Sequence, residues 1–225
     1  ADYDKNGGRQ DIQDLGFSLY GTYFLNNGLY FDGALSLGKT DYDLRRNIHY
    51  SIEGLSANQR AKSSTEGDAF SAFVSAGYDL AFRDWNLSPH LNLTYMKNKV
   101  DGYAERMLNL DLNSLGAAMA VAMDDTDYNS FTSALGATFS FSHSQSWGIL
   151  TPQLSIDWIH EFQNDQQRTS GYFVNDINRQ PFALLTQEPD RNYFDLGLSL
   201  AAQLPNGRAA FLSYNTLLGY EDLQH

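Results

Sequence analysis

Leu15-Gly16-Phe17-Ser18-Leu19-Tyr20-Gly21-Thr22-Tyr23-Phe24-Leu25 alternates at a period of two. Its odd positions, Leu15, Phe17, Leu19, Gly21, Tyr23 and Leu25, suit lipid, and the residues between them are mostly small or polar. Successive side chains of a strand point to opposite faces, so this stretch reads as a strand with one greasy face and one wet face.

Seven more segments repeat the pattern. Leu29, Phe31, Gly33, Leu35 and Leu37 oppose Tyr30, Asp32, Ala34, Ser36 and Gly38, and Phe70, Ala72, Val74, Ala76 and Tyr78 oppose Ser71, Phe73, Ser75 and Gly77. Leu87 to Tyr95, Phe131 to Phe141, Leu154 to Trp158, Phe194 to Leu200 and Leu212 to Leu218 complete the set. No segment is apolar on both faces, which argues against a parallel sheet buried under helices. The connections run short, long, short, long, short, long, short. This combination predicts an all-β, antiparallel, up-and-down transmembrane β-barrel with eight strands in this chain, residues 1–225 forming one barrel domain.

Composition agrees. Charged residues make up 19% and mean hydropathy is negative, yet aromatics reach 14%, with 14 Tyr and 14 Phe. Such a balance suits a sheet wetted on one face and ringed by aromatic side chains at its interfaces. No run of about eighteen apolar residues predicts a transmembrane helix, and Ala1 to Asp11 does not resemble a secretory signal. Cysteine is absent, which excludes thiolate metal sites and disulfides and is compatible with an oxidising envelope compartment. A formal charge of -12 argues against nucleic acid as a partner and reads more simply as acidic, solvated loops.

The short connections are Asn26-Asn27-Gly28, Arg83-Asp84-Trp85-Asn86, Ser144 to Gly148 and Pro205-Asn206-Gly207. Asn-Gly favours a tight hairpin because both residues tolerate positive φ. The long connections are expected from Asp41 to Gly67, Lys97 to Asp127 and Gln163 to Asn192. In outer-membrane barrels tight turns lie on the periplasmic side and long loops outside the cell. With a tight turn first and a tight turn last, both ends of this chain fall on the extracellular side, and Glu221 to His225 reads as a loop. The expectation is a stretch lacking strands at both ends, whose two edges must be covered by other strands, another copy or a partner.

Several pieces resemble the translocator (β-barrel) domain of bacterial autotransporters: Tyr20-Gly21-Thr22-Tyr23 before a turn, Gly28 to Ala34, the Arg45-Arg46 pair, Ala76-Gly77-Tyr78, Pro89, Tyr103-Ala104-Glu105, Thr151-Pro152, His160-Glu161-Phe162 and Gly197 to Leu200. Each is degenerate, but their order and spacing extend over nearly the whole chain. The resemblance implies strands four to eleven of a twelve-stranded barrel in the outer membrane of a Gram-negative bacterium. It also implies a covalently linked N-terminal passenger exported by type V secretion, outer-membrane lipid as surroundings, and barrel-assembly machinery and periplasmic chaperones as partners. No cofactor is expected.

Alternation places Asp32, Asp79, His90, Asn92, Gln153, Asp157, Glu161 and Asp195 on the inward face. A hydrated lumen tolerates charges that cost a few kcal/mol at the lipid midplane. These residues read either as a polar conduit for an extended passenger or its helix, or as a network of paired groups that fills the interior. No Gly-x-Ser-x-Gly elbow and no phosphate-cradling loop appears, and the five His residues lack metal-ligand spacing. Asp157 and His160 are near in sequence but fall on opposite faces, so a dyad is disfavoured. Asp125 to Asn129 imitates the start of a calcium loop, but Ser130 and Gly136 stand where Gly and Glu are required, and a solvated acidic loop is the better reading. The sequons at Asn86 and Asn92 sit in or beside strands and read as accidental. The resemblance therefore implies a translocator, with an outer-membrane porin or small structural barrel passing small solutes as the alternative and an outer-membrane enzyme as a third class lacking a visible nucleophile and base.

Overall fold

The computed structural model describes residues 2–3, 7–108, 115–186 and 188–220; Glu221 to His225 lies outside them. Eight long strands dominate: β1 (Gly8–Phe24), β2 (Leu29–Ile52), β3 (Leu55–Tyr78), β4 (Trp85–Val100), β5 (Thr126–Phe141), β6 (Gly148–Glu161), β7 (Asn192–Leu204) and β8 (Arg208–Leu218). Each pairs antiparallel with its neighbour in chain order, and the sheet curls into a half-barrel. Among the described residues β1 and β8 are not paired with each other. The protein is all-β and up-and-down, as the alternation predicts.

The register keeps each face continuous. Leu19 lies opposite Leu35, Leu35 opposite Ala72, Ala72 opposite Tyr95 and Tyr95 opposite Phe131. On the other face Thr22, Asp32, Ser75 and Asn92 form a row. The apolar face is the exposed one: Leu19 is 63% accessible, Val74 56% and Leu198 51%, whereas Ser75 and Ser130 on the polar face are 4% and 3%. A water-soluble sheet protein buries its apolar face, so this inversion identifies the outer surface as one built for hydrocarbon. Aromatic pairs mark both rims of that surface, Trp85 with Phe139 and Phe141 at the tight-turn end and Phe131 with Phe162 at the long-loop end.

The tight connections fall where Gly and Asn place them. Gly28 (φ 94°) and Asn206 (φ 66°) occupy the left-handed region, and the Pro205–Gly207 connection is a 3-10 turn. Two long connections are shorter than the sequence suggests. The stretch from Asp41 to Gly67 is an unbroken hairpin in which the β2–β3 ladder runs to Ile52 and Leu55, leaving a turn of Glu53-Gly54. The period of two persists here, with Tyr42, Leu44, Ile48 and Tyr50 inward, while outward positions become charged. Likewise the Asp125 to Asn129 segment is not a solvated loop. Residues from Thr126 onward are strand, with Asp127 opposite Lys99 and Asn129 opposite Lys97, an extended geometry that cannot wrap a cation.

The other long connections build a small second sheet from Tyr103–Ala104, Val121–Met123, Arg168–Phe173 and Pro181–Leu185. It rests against the inward face of the β2–β3 tip, where Ile48, Ala61, Met107 and Ala120 form a buried cluster with Tyr50 and Met119 packed on it. The apolar core of the molecule is therefore a plug at the long-loop end, not the centre of the barrel.

Candidate functional site

The polar face carries a set of cross-strand partners. At the tight-turn end Ser88, buried on β4, donates to Asp79, and Asn86 Nδ2 donates to Ser88 Oγ at 2.9 Å. The Asp79 backbone N–H donates to the Gly28 carbonyl at 2.8 Å, which fixes the turn beneath it. One row further, the Tyr30 ring lies over Gly77 of β3: a Cβ at Gly77 would come within 2.2 Å of the ring's Cζ and hydroxyl oxygen. A side chain at this position would displace the Tyr30 ring, so glycine is what lets the ring lie there.

The same row continues through His90, Gly136, Asp157 and Asp195. His90 Nε2 lies 2.7 Å from Asp157 Oδ1, a contact that bridges β4 and β6 over the intervening β5. Gly136 makes it possible: a Cβ at that position would lie 2.2 Å from Asp157 Oδ1 and 2.5 Å from the Ile156 carbonyl oxygen. His90 Nδ1 faces the Ser88 carbonyl at 3.1 Å, so the ring is held from both sides. When the imidazole is protonated this contact is a salt bridge in a sheltered place, the two side chains being 11% and 18% accessible.

Most of the remaining polar residues are held in the same manner. Thr22 Oγ1 donates to Asp32 Oδ1 at 2.6 Å, Ser199 Oγ donates to Gln153 Oε1 at 3.0 Å, and Asn215 Nδ2 donates to Asp195 Oδ1 at 3.5 Å. Asn92 stands between Ser75 and Ala134. Glu161, 6% accessible, accepts from Ser130 Oγ at 2.5 Å and from the backbone N–H groups of Phe131 and Gln163 at 2.9 and 2.8 Å. Three converging donors satisfy a buried carboxylate. Glu161 ties the top of β5 to the end of β6. His160, one residue earlier, turns outward and contacts Asn192 and Phe162, apart from Asp157.

Sequence reasoning did not anticipate the pairing of two motif pieces at the long-loop end. Arg46 Nε and Nη2 donate to Glu105 Oε1 and Oε2 at 2.8 and 2.6 Å, and Nη2 also donates to the Met119 carbonyl at 2.8 Å. Glu105, 7% accessible, accepts in addition from the Val121 N–H at 3.0 Å. The bidentate pair staples the second sheet to β2. Its hydrogen bond to Glu105 raises the Arg46 pKa above the ordinary value. The signal was present in Arg45-Arg46 and Tyr103-Ala104-Glu105, but nothing in sequence says that these meet. Among the described residues no group of His, Cys, Asp or Glu has the arrangement of a metal site.

The autotransporter β-domain family model matches residues 1–215, and the chain belongs to that family. A Pseudomonas putida protein described as an uncharacterized protein in the trpE-trpG intergenic region is 31% identical over 140 residues. The match covers 60% of this chain but 21% of that relative, so the chain spans about a fifth of the relative's length.

Proposed function

We propose that this segment is the membrane-embedded translocator of an autotransporter, anchoring its parent protein in the outer membrane of a Gram-negative bacterium. Its polar face lines the path by which an N-terminal passenger reaches the surface. The observation that carries the reading is the inverted sheet, with leucines exposed on one face and paired polar groups sheltered on the other. Family membership supports the translocator role, and most of the Pseudomonas putida relative lies outside the matched segment, as a passenger-bearing protein requires.

In this reading Asp32, Asp79, His90, Asn92, Gln153, Asp157, Glu161 and Asp195 form the conduit wall and keep it hydrated, with no catalytic role. The exposed edges of β1 and β8 cannot face hydrocarbon with unpaired backbone groups, so in the membrane other strands or a second copy complete them. Assembly then needs the barrel-assembly machinery and periplasmic chaperones as partners. Expressing the parent protein and treating intact cells with an external protease tests the whole proposal. Passenger fragments should appear only when the barrel segment is intact, and the barrel should migrate faster unheated than boiled. A protein that conducts small solutes but never exposes upstream sequence outside the cell overturns export in favour of a porin.

A further inference from the structure

Above the lipid-facing band and a belt that holds Asp11, Asp41, Asp43 and Glu66, the outward face becomes cationic in register. Arg9 of β1 lies opposite Arg45 of β2, Arg45 opposite Lys62 of β3, and Lys62 opposite Arg106 of the Arg106–Met107 strand. Arg60 shares this face two residues along from Lys62. Like charges directly opposite one another on a sheet repel, so the row is unfavourable unless an anion lies against it. Among the described residues Asp11 lies 2.7 Å from Arg9 and Asp43 3.8 Å from Lys62, and Asp2 stands opposite Arg9 in the register. Arg45, Arg60 and Arg106 form no ion pair among the described residues.

Three further observations give the row a ligand. Packing does not need it, because the inward face of the same tip already holds the second sheet through Arg46, Ile48 and Ala61. The surface is concave, a cavity of about 510 Å³ lined by Arg9, Arg45, Asn47, Arg60, Lys62 and Leu108. General basicity does not explain it either, since the chain holds 15 Lys and Arg against 27 Asp and Glu. Height narrows the choice. Arg45 stands eight residues beyond Leu37, the last apolar outward residue of β2, which at ~3.3 Å per residue and a strand tilt of about 40° is roughly 20 Å above the hydrocarbon.

We propose that this face binds the phosphorylated sugar core of an outer-leaflet glycolipid, with Arg45, Lys62 and Arg106 as its phosphate ligands. The inference rests on the outer-membrane reading above. Guanidinium groups present paired N–H donors that match phosphate oxygens. Below the row, past a belt of Asp11, Asp41, Asp43 and Glu66 in which Lys39 pairs with Glu66 at 2.6 Å, the same face offers exposed Phe17, Leu19, Leu35 and Leu37 to the acyl chains of that lipid.

The test uses the folded parent protein, wild type and Arg45→Ser/Lys62→Ser/Arg106→Ser. Each is offered a glycolipid with a phosphorylated core, the same lipid after dephosphorylation, phosphatidylglycerol vesicles, or inorganic phosphate alone. Wild type should retain the phosphorylated glycolipid roughly a hundredfold better than the triple variant, as expected for three surface cations facing an anionic headgroup. Arg45→Lys/Arg106→Lys should retain most of the binding. Equal retention of the phosphorylated and dephosphorylated lipids, equal binding by wild type and triple variant, or full competition by inorganic phosphate or phosphatidylglycerol overturns the site. Insertion is scored separately by heat-modifiable migration: a wild type that does not insert overturns the membrane reading and the proposal with it, whereas an inserted wild type without lipid preference overturns the glycolipid site alone.

Discussion

Arg46 and Glu105 lie 59 residues apart in sequence and meet in a bidentate pair of 2.8 and 2.6 Å, with Glu105 also accepting from the Val121 N–H. Arg46→Ala leaves that buried carboxylate with one backbone donor and no cation. The second sheet should loosen by about 1–3 kcal/mol. Hydrogen exchange at Val121 should accelerate while the β2–β3 ladder near Leu35 stays protected; unchanged exchange at Val121 would show that the staple holds nothing. Because the Arg46 pKa is raised, the guanidinium remains charged below its ordinary value and loses its contribution only as pH rises beyond that value, so the wild-type pair should not loosen from the arginine side between neutral and mildly alkaline pH.

Leu35 and Ser36 are neighbours on opposite faces of β2. Arginine at Leu35 enters hydrocarbon and should cost roughly 2–4 kcal/mol in a folding titration into vesicles, whereas arginine at Ser36 faces the polar interior and should cost much less. Equal penalties would refute the register.

Gly136→Ala tests the bridge across β5. The added methyl would sit 2.2 Å from Asp157 Oδ1 and 2.5 Å from the Ile156 carbonyl oxygen. Overpacking of this kind costs about 1–3 kcal/mol. Adding Asp157→Ala should recover part of that loss by removing the side-chain clash, while the carbonyl contact remains. A tolerated Gly136→Ala with His90 still in contact with Asp157 by NMR would show that the glycine is not what permits the bridge.

Glu161 gathers three donors in a site closed to water. Replacing it with Ala should destabilise the junction of β5 and β6 by about 2–4 kcal/mol, since Ser130 and two backbone N–H groups lose their acceptor. Glu161→Gln keeps one good acceptor oxygen and should cost less. The midpoint of urea unfolding measures the order; equal midpoints for wild type and Glu161→Ala would remove the carboxylate from the account.

Strand identity and face were legible wherever lipid imposes a chemical contrast between neighbours, as from Leu15 to Tyr23. The tip of the β2–β3 hairpin was not, because beyond Lys39 the outward residues (Asp41, Asp43, Arg45) are as polar as a loop's even though the backbone stays extended. Partner choice on the polar face was also hidden. His90 and Asp157 are 67 residues apart, and their contact depends on the stagger of three strands and on a missing side chain at Gly136, none of which periodicity encodes.

On the outer-membrane reading proposed above, the continuous β2–β3 ladder imposes an order on biogenesis. Its distal half, from Lys39 to Asp68, carries ten Asp, Glu, Lys and Arg side chains, all of which finish beyond the far side of the bilayer from the tight turns. Dragging even one such charge through hydrocarbon costs about 2.5–3.5 kcal/mol by insertion scales, and the ten together would stall a hairpin pushed tip-first through lipid. Threading must therefore occur through a water-filled gap while the wall is still unsealed, and the last seam can close only after that charged tip has passed.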